Sequence, residues 1–169
     1  TDVDTMEAVQ MVLAGKVNKD LVNLIENKGG KAIGLSGIDG HMLEATPKDK
    51  RLGRVGEITN VNIRPITDVF EKGYIPVVST VGCDAEGGVD AAAMIAASLG
   101  AAALISMTDV SGIMKDKNDP STLIPVIKTS EAPYLVESGV IAGGMIPKTR
   151  CCINAVNSGV ERVFIIDGR

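Results

Sequence analysis

Short apolar runs alternate with helical periodicities along this chain, and that alternation restricts its fold more than any other feature. Residues 31–35, 74–79, 103–107, 122–127 and 162–167 are each of strand length. Between them lie segments patterned for helices, at 63–71, 90–100, 130–137 and 148–157, after a long one near the start. Repeated strand–helix–strand order predicts a mainly parallel sheet joined by right-handed crossovers, an α/β architecture. The composition agrees, being 45% hydrophobic but only 2% aromatic, with no Trp. A core built from Val, Ile, Leu, Ala and Met suits a parallel sheet covered by helices.

Punctuation residues set the expected boundaries. Met6, Val9, Val12, Leu13, Val17, Leu21, Leu24 and Ile25 recur at helical spacing. They predict one long amphipathic helix capped by Thr5, kinked at Gly15 and stopped by Gly29 and Gly30. Residues 36–40 read as a turn, and 42–45 with 55–61 as a solvent-exposed hairpin around the charged stretch 47–50. Pro65 fits the first turn of the helix 63–71, which Gly73 closes. Residues 80–89 read as a loop, and Asp90 heads an alanine-rich helix as its natural N-cap. No internal repeat or linker is visible, so the 169 residues read as one domain or part of one.

Several functional classes are disfavoured. The net charge is −4, and no run of Lys or Arg is interleaved with aromatics, so no general nucleic-acid surface is expected. No apolar run approaches the ~20 residues needed to span a bilayer, and no signal-peptide pattern opens the chain. Cys83, Cys151 and Cys152 have no metal-ligand spacing, and an odd number of cysteines points to a reducing, cytoplasmic setting. The adjacent pair reads as helix filler. The sole histidine, His41, reads as an exposed loop residue.

Two stretches carry chemistry. The run from Ala101 to Met114 is a strand delivering Thr108, Asp109 and then Gly112, where the backbone must turn or approach something closely. Ligands of open α/β sheets bind just beyond the carboxyl ends of parallel strands, which makes this loop a candidate lip of a crevice. The second stretch, Gly143-Gly-Met-Ile-Pro-Lys148, is a Gly-rich helix entrance offering amides, a helix dipole and one lysine to an anion. Neither is a Walker motif.

Taken together, certain segments resemble the amino acid kinase family, and within it the acetylglutamate kinases. They are Met11-Val-Leu-Ala-Gly-Lys-Val-Asn-Lys19, Ala32-Ile-Gly-Leu-Ser-Gly37, Val55-Gly-Glu-Ile58, Tyr74-Ile-Pro-Val-Val78, Ile105-Ser-Met-Thr-Asp-Val-Ser-Gly-Ile113, Gly143-Gly-Met-Ile-Pro-Lys148 and Ile165-Ile-Asp-Gly-Arg169. The resemblance implies a three-layer αβα sandwich with a mainly parallel central sheet. It also implies transfer of the γ-phosphoryl group of ATP to the side-chain carboxylate of N-acetyl-L-glutamate, a step of arginine biosynthesis. Mg²⁺ would accompany the ATP, held chiefly by phosphates and water, and a homo-oligomer is expected by analogy.

By the same resemblance Lys148 is one of two lysines that stabilise the transition state, and Asp90 is the aspartate that organises them. Asp109, Val110, Ser111, Gly112, Ile113 and Met114 form the nucleotide loop, with Val140, Ile141 and Ala142 as a second nucleotide strip.

The departures are as specific as the match. Family members begin with a strand bearing the second lysine, then a Gly-Gly substrate loop and an arginine, none of which has a counterpart here. An Asn-rich segment ending in Ala-Asp is absent or cut near Val89, and a further strand and helix are expected after Arg169. The chain therefore reads as a single partial kinase domain, its ATP side retained and inactive alone. A non-catalytic nucleotide-binding module and a related kinase with another acceptor are the alternatives.

Overall fold

The computed structural model describes residues 2–47, 55–82, 86–87 and 90–169. The chain divides into two compact units, Thr1–Ala91 and Ala92–Arg169, with the boundary inside a helix.

The first unit opens on α1 (Val3–Gln10), which passes through a π-helical stretch (Met11–Val17) into α2 (Asn18–Asn27). The cap is Asp2 rather than Thr5: Thr5 sits three residues inside the helix, and its N–H donates to the Asp2 carboxylate at 2.8 Å. The expected kink at Gly15 is instead the seven-residue π-helical stretch Met11–Val17. Gly29 adopts φ +84° and the Gly30 N–H bonds the Ile25 carbonyl, which ends the helix as predicted.

Strand β1 (Ala32–Ser36) pairs in parallel with β4 (Ile75–Ser79), from Ala32 opposite Ile75 to Ser36 opposite Ser79. Asn18, at the head of α2 and only 2% exposed, spans this pair. Its Nδ2 donates to the carbonyls of Leu35 (3.1 Å) and Val77 (2.7 Å), and the neighbouring Lys19 Nζ donates to Gly34. After a 3₁₀ turn at Asp39–His41, β2 (Leu43–Pro47) and β3 (Val55–Val61) form the predicted antiparallel pair.

The hairpin is not solvent-exposed throughout. Met42, Leu43, Ala45 and Ile58 are buried while Glu44 and Thr46 face out, the period-two pattern of a half-buried sheet. The charged stretch 48–50 lies outside the described residues.

Helix α3 (Arg64–Glu71) carries Pro65 in its first turn and ends at Gly73, φ +78°. The expected loop 80–89 contains a two-residue strand, β5 (Glu86–Gly87), parallel to β3. Residues 83–85 and 88–89, with Cys83 and the gap placed near Val89, lie outside the described residues.

Helix α4 (Asp90–Ser98) leads into the second unit. There β6 (Ala103–Thr108) pairs in parallel with β7 (Arg162–Asp167), residue for residue from Ala103–Arg162 to Thr108–Asp167. Helices α5 (Ala132–Glu137) and α6 (Met145–Asn157) complete the unit. Its core joins Ala93 and Ala96 of α4 to Cys151 and Ala155 of α6 and to Val160, with Leu104 and Val163 of the strands packed against them. Small alanines on both helices let them sit close to the strands. On the opposite face of the strands Ile105, Met107, Phe164 and Ile166 are exposed.

Two expectations fail here. Residues 122–127 do not form a strand: a 3₁₀ turn (Pro120–Thr122) runs into one bridge from Leu123 to Met114, and Pro125 has no N–H to extend it into a ladder. Helix α6 begins at Met145 rather than Lys148, since Pro147 needs no hydrogen bond in a first turn and can lie inside it.

Candidate functional site

The geometry of the second unit follows from α6. A short turn at Ser158 and Gly159 connects this helix to the start of β7, so it runs antiparallel to the strands. Its 13 residues cover about 20 Å at ~1.5 Å each. The six residues of β7 cover about the same at ~3.3 Å each. The first turn of α6 therefore stands level with the carboxyl ends of β6 and β7, where the loop beginning at Asp109 leaves the sheet. Lys148 is in that turn. It is half-buried, and no ion pair or hydrogen bond engages its ammonium among the described residues. The amide supply is smaller than the glycines suggest. The N–H groups of Met145 and Ile146 turn back to the carbonyls of Ala142 and Gly143 at 3.2 Å, and Pro147 has none.

The loop itself is built by close packing. Gly112 has φ +142°, a conformation L side chains rarely adopt, and a Cβ there would crowd Leu123 Cδ1 at 3.0 Å. Ile113 is buried and its carbonyl accepts from the Ile124 N–H at 2.9 Å, while Asp109 and Ser111 face outward. Within the second strip Ile141 is buried, its N–H bonded to the Leu135 carbonyl, Val140 is half-buried and Ala142 exposed.

A pocket of about 220 Å³ opens beside the loop, lined by Ser111, Gly112 and Ile113 and, across from them, by Lys128, Thr149 and Cys152 among others. It takes in three of the six loop residues and neither Lys148 nor the strip 140–142. Its volume is below the ~300–1,000 Å³ of a complete ligand site. The Thr149 hydroxyl lies buried without a hydrogen-bond partner among the described residues. Sequence reasoning overlooked it, although Thr149, Cys152, Ile153 and Val156 repeat at helical spacing. Burial, with the charge of Cys151 adding to it, pushes the Cys152 thiol up to about 11, in keeping with a neutral filler. Asp90 begins α4 in the first unit, and its side chain lies outside the described part of the structure.

The carboxyl ends of the two strands also gather charges that the sequence did not single out. Arg169 forks onto Asp167, Nε at 3.0 Å from Oδ1 and Nη2 at 2.9 Å from Oδ2. The Gly168 N–H donates to the Thr108 carbonyl at 2.8 Å, and the Thr108 hydroxyl donates to Asp109 at 3.2 Å.

Hydrogen bonds from the Arg169 side chain and then its backbone hold the Asp167 carboxyl down at about 2, below its usual 3.8. A depressed acid favours the folded form above its ordinary value, and that contribution is lost as pH falls from about 4 through about 2. Carboxyl-carbon NMR titration is expected to show this low midpoint and its return toward 3.8 in Arg169→Gln. An unchanged midpoint in the variant would assign the shift to another cause.

The model of the Amino acid kinase family matches residues 1–167. The acetylglutamate kinase of Brachyspira hyodysenteriae (strain ATCC 49526 / WA1) is 50% identical over 177 aligned positions, covering all of this chain and 62% of that protein. The chain thus spans about three-fifths of this relative's length. An alignment longer than the chain's own 169 residues also contains positions that the chain lacks.

Among solved structures, a protein from Streptococcus mutans UA159 superposes with a TM-score of 0.90 at 28% identity, covering all of this chain and 70% of that one. The N-acetylglutamate synthase from Neisseria gonorrhoeae, complexed with coenzyme A and N-acetyl-glutamate, gives 0.79 at 24% identity over 99% of this chain and 39% of that one. These likenesses show the fold, an α/β sandwich with mainly parallel strand pairing. No helix among the described residues is long and apolar enough to cross a membrane.

Proposed function

The chain belongs to the amino acid kinase family, and from that membership we propose that it is the ATP side of an acetylglutamate kinase, one partial kinase domain of an enzyme acting in arginine biosynthesis. In the reaction a side-chain carboxylate oxygen of N-acetyl-L-glutamate attacks the γ-phosphorus of ATP. The bond to the β–γ bridging oxygen breaks, ADP leaves, and an acyl phosphate forms. Little covalent chemistry is asked of the protein beyond positioning and offsetting charge on the transferring oxygens.

The observation that carries this reading is Lys148, an ammonium without a partner among the described residues, in the first turn of α6 and level with the loop from Asp109 to Met114. A point charge held there needs no reorganisation as negative charge moves onto the bridging oxygen. The helix dipole acts in the same sense. The loop and the strip 140–142 would hold the nucleotide, and Asp90 would orient the lysines. Mg²⁺ fits as an ion carried by the nucleotide, since no three ligating side chains converge among the described residues, and it would draw charge off the phosphates. A homo-oligomer and a cytoplasmic location complete the proposal.

The test uses a chain completed to the length of the acetylglutamate kinases it matches. With ATP and N-acetylglutamate it is expected to release ADP and to yield an acyl phosphate that hydroxylamine traps as the hydroxamate, whereas the 169 residues alone do not. ATP binding without transfer to any acceptor would replace this reading with a non-catalytic nucleotide module. Transfer to aspartate, uridylate or carbamate instead would make it a related kinase.

A further inference from the structure

The exit of β7 is fastened to the exit of β6. Thr108 and Asp167 are paired partners, the Gly168 N–H bonds the Thr108 carbonyl, and Gly168 lies so near Met107 that a Cβ would stand 3.0 Å from its Cε. Asp109 and Arg169 are therefore the first side chains beyond the paired ends on adjacent parallel strands. Asp109 is exposed at the start of the nucleotide loop, and its carboxylate would repel an incoming polyphosphate. Arg169 has five N–H donors in a rigid fork, and it binds Asp167 through Nε and Nη2. The Asp109 charge adds, after Asp167, to the upward push on the Arg169 pKa, so the two groups sense each other.

We propose that Arg169 is a positioning residue for the nucleoside triphosphate: anchored on Asp167, its guanidinium offsets Asp109 at the lip of the loop and so sets how tightly the polyphosphate is held. The role rests on the kinase reading above but concerns ATP binding and not the acceptor. Two carboxylates and one guanidinium at a strand end form a small charge set whose sum is negative without Arg169 by two units and with it by one. Its effect belongs to the ground state, since it acts through the Asp109 charge, which is the same before and during transfer.

Arg169→Gln in the completed chain is expected to weaken ATP binding by calorimetry, and to raise KM for ATP, by about fivefold, the upper end for an exposed charge pair. kcat should stay within about twofold, because no contact made only in the transition state is lost. Arg169→Lys should fall between the two, retaining charge but not the fork. The decisive comparison is a double-mutant cycle: in an Asp109→Asn background Arg169→Gln should change ATP affinity by less than about twofold, since the charge that Arg169 offsets is then gone. Parent-like binding in Arg169→Gln, an equal loss in the Asp109→Asn background, or a fall in kcat at constant KM would each overturn the assignment. A parent that binds no ATP at all would instead sink the kinase reading.

Discussion

Lys148→Ala in the completed chain is expected to lower kcat about 10²–10³-fold, the usual loss on removing one preorganised group that stabilises transition-state charge. KM for ATP should change far less, because the ammonium is needed most where negative charge develops. Lys148 has no anionic partner among the described residues that its removal would orphan, so the folded chain should tolerate the change. That separates it from lysines with structural duties such as Lys19, which caps the Gly34 carbonyl. Lys117→Ala, on an exposed loop beyond the nucleotide stretch, serves as the control and should stay within about twofold. Undiminished turnover in Lys148→Ala would remove this residue from the mechanism, whatever the fate of the acceptor assignment.

Gly34→Ala should destabilise the first unit by about 2–5 kcal/mol, from overpacking and from lost buried hydrogen bonds. A methyl at Gly34 would overlap the amide oxygen of Asn18 and crowd the Lys19 ammonium. Asn18 cannot yield without breaking its bonds to Leu35 and Val77. Its own Oδ1 is buried without a partner among the described residues, so the amide is already held at some cost. Urea midpoints would measure the loss. A double-mutant cycle supplies the mechanism: in an Asn18→Ala background the added methyl has room, and Gly34→Ala should then cost under about 1 kcal/mol. Gly15→Ala, where a Cβ meets nothing within 4 Å, should be neutral or stabilise by up to about 1 kcal/mol. Equal costs at the two glycines would show that backbone freedom, not the Asn18 contact, governs position 34.

The elements read well from sequence are those whose signal is local. β6 and β7 are apolar runs closed by Asp and Gly, and Gly29, Gly73 and Gly139 end helices at positive φ as their sequence positions suggest. Residues 122–127 misled because their apolar content resembles a strand, while Pro125, which cannot extend a ladder, counts only once hydrogen bonding is considered. Asn18 escaped notice because a polar residue in an amphipathic helix normally marks the solvent side; only the β1–β4 pairing reveals that it faces the strands.

The candidate site divides in the same way. Asp109 to Met114 and Lys148 stand beside glycines that announce a loop and a helix entrance. Asp109 and the Arg169–Asp167 pair come to neighbouring strand ends through the register of two distant strands, which no local pattern encodes.

The same register has a consequence in time. Ala103 is matched with Arg162, 59 positions further on. At ~5–20 residues per second, a ribosome needs roughly 3–12 s to supply β7 after β6 has been made. Until then β6 lacks the only strand partner it has among the described residues, and the lip at Asp109 lacks its guanidinium. Parallel pairs of such separation form slowly and leave their edges open to wrong partners. The lip at Asp109 is therefore among the last parts of the second unit to be completed during synthesis.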